Sequence, residues 1–167
     1  MSPEDFSNFL NSISEKPLYV LDAEIPLSAY IPIDLSESNS DLNNFDTKSS
    51  IAWQDYFKAY IHKNNKTVAF GGYGEQRSIY KRSSYFNCEN SDDERNIHLG
   101  IDLWIAANSK VYAPLDATIH SFKNNTNFGD YGPTLILKHA IHGEVFYTLY
   151  GHLSLKSIVK LQVGHKF

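Results

Sequence analysis

The chain has 167 residues, enough for one domain or one domain with an appended piece. With 42% apolar and 14% aromatic residues it can bury a core, and a charged fraction of 20% with net charge −4 excludes a disordered tail. The scattered Lys and Arg make no basic stripe, so nucleic acid is not an expected partner.

No apolar run is long enough for a membrane span. Met1-Ser-Pro-Glu-Asp5 is acidic where a signal peptide is basic, so no membrane partner is expected and the location is cytoplasmic by default. The single cysteine, Cys88, leaves no intrachain disulfide and no multi-cysteine metal cage.

Residues 2–14 read as an amphipathic helix. Ser2 can cap it, Pro3 suits its first turn, and Phe6, Phe9, Leu10 and Ile13 form one apolar stripe. Residues 17–35, interrupted by Pro17, Pro26 and Pro32, predict extended pieces at a sheet edge. Asp34 to Ser50 is polar and reads as a surface loop. Residues 51–63 return to helical period, with Trp53, Tyr56, Phe57, Tyr60 and Ile61 on one face that belongs to the core.

From residue 67 the pattern becomes β. Val68-Ala-Phe70 runs into Gly71-Gly-Tyr-Gly74, which reads as a turn. It lacks the phosphate-binding lysine, and Arg77 stands where a third glycine of GxGxxG belongs. Residues 87–96 form a second polar loop. Strands are then predicted at Leu99–Trp104, Lys110–Ala113, Ala117–Phe122, Thr134–His139 and Val145–Leu149, separated by turn signals that include His142-Gly143. Short strands at this spacing indicate a sandwich or barrel rather than a parallel sheet.

The candidate chemistry lies in the second half. His98 and Asp102 are both good zinc donors. On a straight strand, residues four apart lie ~13 Å from each other, too far to share an ion that bonds at about 2 Å. The chain must therefore bend, and Gly100 permits it. His152 follows Gly151 at the end of an aromatic run, Tyr147-Thr-Leu-Tyr150. On its own it reads as a strand-end histidine bonded to backbone. His62 reads as solvated, His120 lies in a strand pattern, His139 and His142 flank a turn, and His165 is near the chain end.

Four blocks in order resemble the lysostaphin/LytM-type peptidoglycan DD-metallopeptidases. They are His98-Leu-Gly-Ile-Asp102, Val111-Tyr-Ala-Pro-Leu-Asp-Ala117, Tyr131-Gly-Pro-Thr-Leu-Ile-Leu-Lys-His139 and Tyr150-Gly-His-Leu-Ser154. The resemblance spans residues 97–167, and the segment from Val68 to Tyr85 resembles the lead-in of one branch. It implies that His98 and Asp102 bind Zn2+ and that His152 is a catalytic residue outside the ligand set. The implied activity is zinc-dependent endopeptidase hydrolysis of peptides in bacterial peptidoglycan, a substrate of the cell envelope.

The resemblance also implies a mainly β fold (α+β overall). Its antiparallel β-sheet core would be of the barrel-sandwich hybrid type, residues 67–167, preceded by a partly helical N-terminal region, residues 1–66. The family's third zinc ligand comes from a late HxH motif, and no HxH occurs here. The stop at Val163-Gly-His-Lys-Phe167 resembles a point before that strand. Truncation is the simplest reading, and a degenerate domain is the other. Truncation predicts an open sheet edge with apolar surface near Ile136 and Phe146. Either way the third ligand is missing, so activity is expected to be absent or impaired.

Two rival readings remain. One is a noncatalytic module on the same scaffold that binds cell wall or a partner. The other is a biotinyl or lipoyl carrier, suggested by Val111 to Ala117. A carrier needs a tip lysine beside methionine, and Lys123 has none: the sole methionine is Met1.

Overall fold

The computed structural model describes residues 2–78, 96–127 and 129–167. Most of the polar loop expected at 87–96 and the end of the Val68–Tyr85 lead-in lie outside them. In chain order the elements are α1 (Pro3–Ser12), β1 (Tyr30–Pro32), α2 (Ser50–Lys63), β2 (Val68–Gly71), β3 (Glu75–Gln76) and β4 (Ile97–His98). They continue with β5 (Asp102–Trp104), β6 (Thr118–Asn125), β7 (Gly132–Ile141), β8 (Glu144–Tyr150) and α3 (Leu155–Ile158). The strands form three separate sheets, and no barrel closes among the described residues. The fold is mixed α/β with few helices, consistent with a mainly β chain. No helix among the described residues is long and apolar enough to cross a membrane.

By internal contacts the chain divides into two units, Glu24–Ser109 and Met1–Ala23 with Lys110–Phe167. Residues 66 and 67, where the composition changes, lie within the first of these, between α2 and β2.

In Glu24–Ser109, β1 is an edge strand parallel to β2, and β2 pairs antiparallel with β5. The edge position suits Pro32, which has no amide N–H to give to a ladder. Helix α2 begins where the Ser49 side chain accepts a hydrogen bond from the Ala52 N–H. Its aromatic stripe packs on buried Ile33, Leu35 and Ala69, and Phe57 stacks on Trp104 at 4.4 Å between ring centroids. The stripe is core, as its spacing predicts.

In the other unit, α1 starts with a reciprocal cap: the Ser2 hydroxyl accepts from the Asp5 N–H, and the Asp5 carboxylate accepts from the Ser2 N–H. Strands β6, β7 and β8 form an antiparallel meander over a core of Ala117, Ile119, Leu135 and Leu137. His142 and Gly143 both take positive φ, +51° and +86°, which suits a two-residue hairpin between β7 and β8.

The edge of β8 carries half-exposed Val145, Tyr147 and Leu149. Phe146, expected at an exposed surface, is instead buried against Phe6 and Phe9 of α1, with ring centroids at 6.2 and 5.9 Å. Alternation explains the difference: Phe146 points to the face opposite its two exposed neighbours. The far edge, along β6, is lined by the last residues, with the Ile119 N–H donating to His165 at 2.9 Å.

Two predicted strands are corrected. Lys110–Ala113 forms no strand. Leu99–Trp104 is not continuous: the chain leaves the two-stranded β3–β4 ribbon at His98 and enters the β1–β2–β5 sheet at Asp102. That break builds the candidate site.

Candidate metal centre

The site lies on a kinked antiparallel ladder. At one end Gly71 of β2 pairs with Asp102, and at the other Glu75 of β3 pairs with His98. Between them both chains leave the ladder, one through the Gly72-Tyr73-Gly74 turn and the other through Leu99-Gly100-Ile101. The kink shortens the span that a straight strand would impose. His98 Nε2 comes to 3.6 Å from Asp102 Oδ1. Two donors on one tetrahedral zinc lie roughly 3.3 Å apart. Gly100 sits inside the bend, where an added Cβ would come within 3.2 Å of His98 Nε2.

The imidazole is held from behind. His98 Nδ1 lies 2.9 Å from the Gly72 carbonyl oxygen, which can only accept, so Nδ1 carries the hydrogen. Nε2 then turns its lone pair toward a carboxylate oxygen. A cation between the two groups, a proton or a metal ion, would favour this arrangement. Both side chains are half-buried, so the pair remains reachable from solvent.

The sequence reading missed a second layer of residues here. Arg77 is buried and bridges two acids: Nε to Glu75 Oε2 at 2.6 Å and Nη1 to Asp102 Oδ2 at 2.7 Å. Glu75 Oε1 in turn accepts the Leu35 N–H at 2.7 Å. Burial pulls the pKa of the guanidinium down, but the hydrogen bond to Glu75 and the charge of Asp102 outweigh it and hold the pKa above its ordinary value. Gly72 makes room for this. Its φ is +98°, and a Cβ there would overlap Arg77 Nη2 and come within 2.7 Å of His98 Nδ1. The available signal was Glu75-x-Arg77, two charges on one side of a strand beside a glycine turn. It does not say which distant carboxylate completes the pair.

His152 belongs to the other unit. It follows β8 with φ +54°, a left-handed conformation uncommon for a residue with a side chain. Its backbone N–H donates to the Tyr131 carbonyl at 2.8 Å. Its side chain is exposed and lies beside the Tyr131 ring, with centroids at 6.2 Å. So the backbone is anchored while the imidazole is open to solvent, unlike the backbone-bonded ring expected of a structural histidine.

His139 is the opposite case. It is fully buried and stacked on Phe146 at 4.8 Å. Nδ1 donates to the Asp116 carbonyl at 3.0 Å, so Nε2 accepts from the Thr148 hydroxyl at 2.8 Å. Both nitrogens are used, and the residue is structural.

His98 and Asp102 thus offer one nitrogen and one oxygen donor that fit zinc in kind and spacing. Among the described residues no group of three or more His, Cys, Asp or Glu is placed to hold a metal ion. No family model matches the chain, and neither does any curated protein or solved structure.

Proposed function

We propose that His98 and Asp102 are zinc donors and that the chain carries the scaffold of a peptidoglycan endopeptidase. This is the lysostaphin/LytM type that its four sequence blocks resemble. The observation that carries the reading is the 3.6 Å approach of His98 Nε2 to Asp102 Oδ1, with Nδ1 already engaged by Gly72. The antiparallel sheets are compatible with the barrel-sandwich hybrid core that the same reading expects.

A zinc ion held there would lower the pKa of a water molecule and polarise the scissile carbonyl. His98 would supply a nitrogen donor to it, and Asp102 an oxygen donor. The role of His152, in the other unit, rests on the resemblance alone, which assigns it as a proton acceptor or a hydrogen-bond donor to the oxyanion. The substrate class is the peptide portion of bacterial peptidoglycan. Catalytic zinc is usually held by three protein ligands; the site offers two among the described residues, and a site of two would hold zinc weakly and impair hydrolysis.

Zinc titration of the purified chain tests the reading. Zinc should bind weakly and raise the melting temperature, and His98→Ala and Asp102→Ala should each remove both effects. With peptidoglycan fragments and saturating zinc, new amino termini should accumulate slowly, and not at all in His98→Ala. Zinc binding that survives both substitutions would refute the site. A chain that binds peptidoglycan without binding zinc would favour the noncatalytic wall-binding module.

A further inference from the structure

We propose that Arg77, held by Glu75, is a positioning residue that occupies Oδ2 of Asp102 and so presents Oδ1 alone to the ion shared with His98. This inference rests on the zinc reading above.

A free carboxylate can bind a cation through one oxygen or both. The Asp102 carboxylate has one oxygen committed, since Oδ2 lies 2.7 Å from Arg77 Nη1 while Oδ1 faces His98 Nε2. The guanidinium cannot swing away easily. Its Nε is tied to Glu75 at 2.6 Å, Glu75 is tied to the Leu35 amide, and only 7% of the Arg77 side chain is exposed. Nη2 is buried over Gly72 without a hydrogen-bond partner among the described residues. A buried donor left unpaired is unfavourable. The other two contacts hold the fork in place despite it. Arginine suits this role because its planar fork reaches two acids at fixed angles, whereas a lysine ammonium is a single point of charge.

Charge and geometry predict opposite signs, which makes the proposal testable. On charge alone, a cation beside the site repels zinc, and Arg77→Gln would tighten binding. On geometry, Arg77→Gln frees Asp102 to rotate and weakens it. Removing the partner that orients a metal ligand typically weakens metal binding about 10–100-fold.

Zinc dissociation constants should be measured by competition with a chromophoric chelator, beside thermal melts, for the full chain and for Arg77→Lys, Arg77→Gln, Glu75→Gln and His98→Ala. Both Arg77 variants should bind zinc about 10–100-fold more weakly, and Glu75→Gln a few-fold more weakly. Infrared spectra with isotopically labelled aspartate add a signature that a merely structural role would not move. The separation of the carboxylate stretches of zinc-bound Asp102 should be wide in the natural chain and narrow toward the bidentate pattern in Arg77→Gln.

Arg77→Lys binding zinc as tightly as the natural chain, or Arg77→Gln binding it more tightly, would overturn the proposal and leave the zinc site standing. Zinc binding unchanged in His98→Ala would overturn the zinc site and this proposal with it. If the Arg77 variants do not fold, Glu75→Gln carries the test, and unchanged zinc affinity in that variant overturns positioning.

Discussion

Three histidines separate by what each nitrogen does. His139 spends both on the fold, so Thr148→Val should leave Nε2 without its donor at a cost of about 1–3 kcal/mol, read by chemical denaturation, with zinc affinity unchanged. His152 is anchored through its backbone N–H rather than its ring and sits in a left-handed conformation that costs a non-glycine residue roughly 1 kcal/mol. Asparagine tolerates that conformation better. His152→Asn should therefore melt at the same or a slightly higher temperature with zinc affinity the same, and the proposed peptidoglycan hydrolysis should be absent from it. A clear loss of stability would instead mark the imidazole as part of the turn. The candidate roles of His98 and His152 come from the family resemblance, since His152 on its own reads as a strand-end histidine bonded to backbone. The structural role of His139 is not legible in the sequence, because its partners, the Asp116 carbonyl and Thr148, come from strand register that no local pattern specifies.

At the scale of elements, the kinked ladder does the assembling. The need for a bend between His98 and Asp102 follows from strand rise alone, and Gly100 marks its place. What sequence reasoning could not supply is the matching kink on the partner side. Gly71-Gly-Tyr-Gly74 is legible as a turn, yet its partner across the ladder is fixed by pairing between distant segments. For the same reason Arg77 reads only as the residue that spoils a phosphate-binding motif, when its guanidinium is what grips Asp102. The turn offers an internal comparison. Gly74 has φ +68° with open space around it, whereas Gly72 combines φ +98° with the Arg77 and His98 side chains where a Cβ would stand. Gly74→Ala should cost about 1–3 kcal/mol for backbone strain, and Gly72→Ala clearly more. Gly72→Ala should also weaken zinc binding, and Gly74→Ala should not. Equal losses in the two variants would show that Gly72 is needed only for its backbone.

At the scale of the whole molecule, the coarse class is legible and the architecture is not. Short strands with turn signals between them predict a sandwich or barrel rather than a parallel sheet; β6, β7 and β8 form an antiparallel meander, and no barrel closes among the described residues. The division into Glu24–Ser109 and Met1–Ala23 with Lys110–Phe167 is not visible in composition, because each unit is closed by packing between segments far apart in the chain. His98 and Asp102 lie in one unit, and His139 and Thr148 in the other. Long-range proton–nitrogen correlation NMR of the histidine side chains follows both in one experiment. Without zinc, the His98 signal should show Nδ1 carrying the hydrogen. Added zinc should move the His98 Nε2 resonance and leave both His139 nitrogens where they were. A His98 ring protonated on Nε2 alone, or an Nε2 resonance that stays fixed at zinc concentrations saturating any site on the chain, would contradict the zinc site.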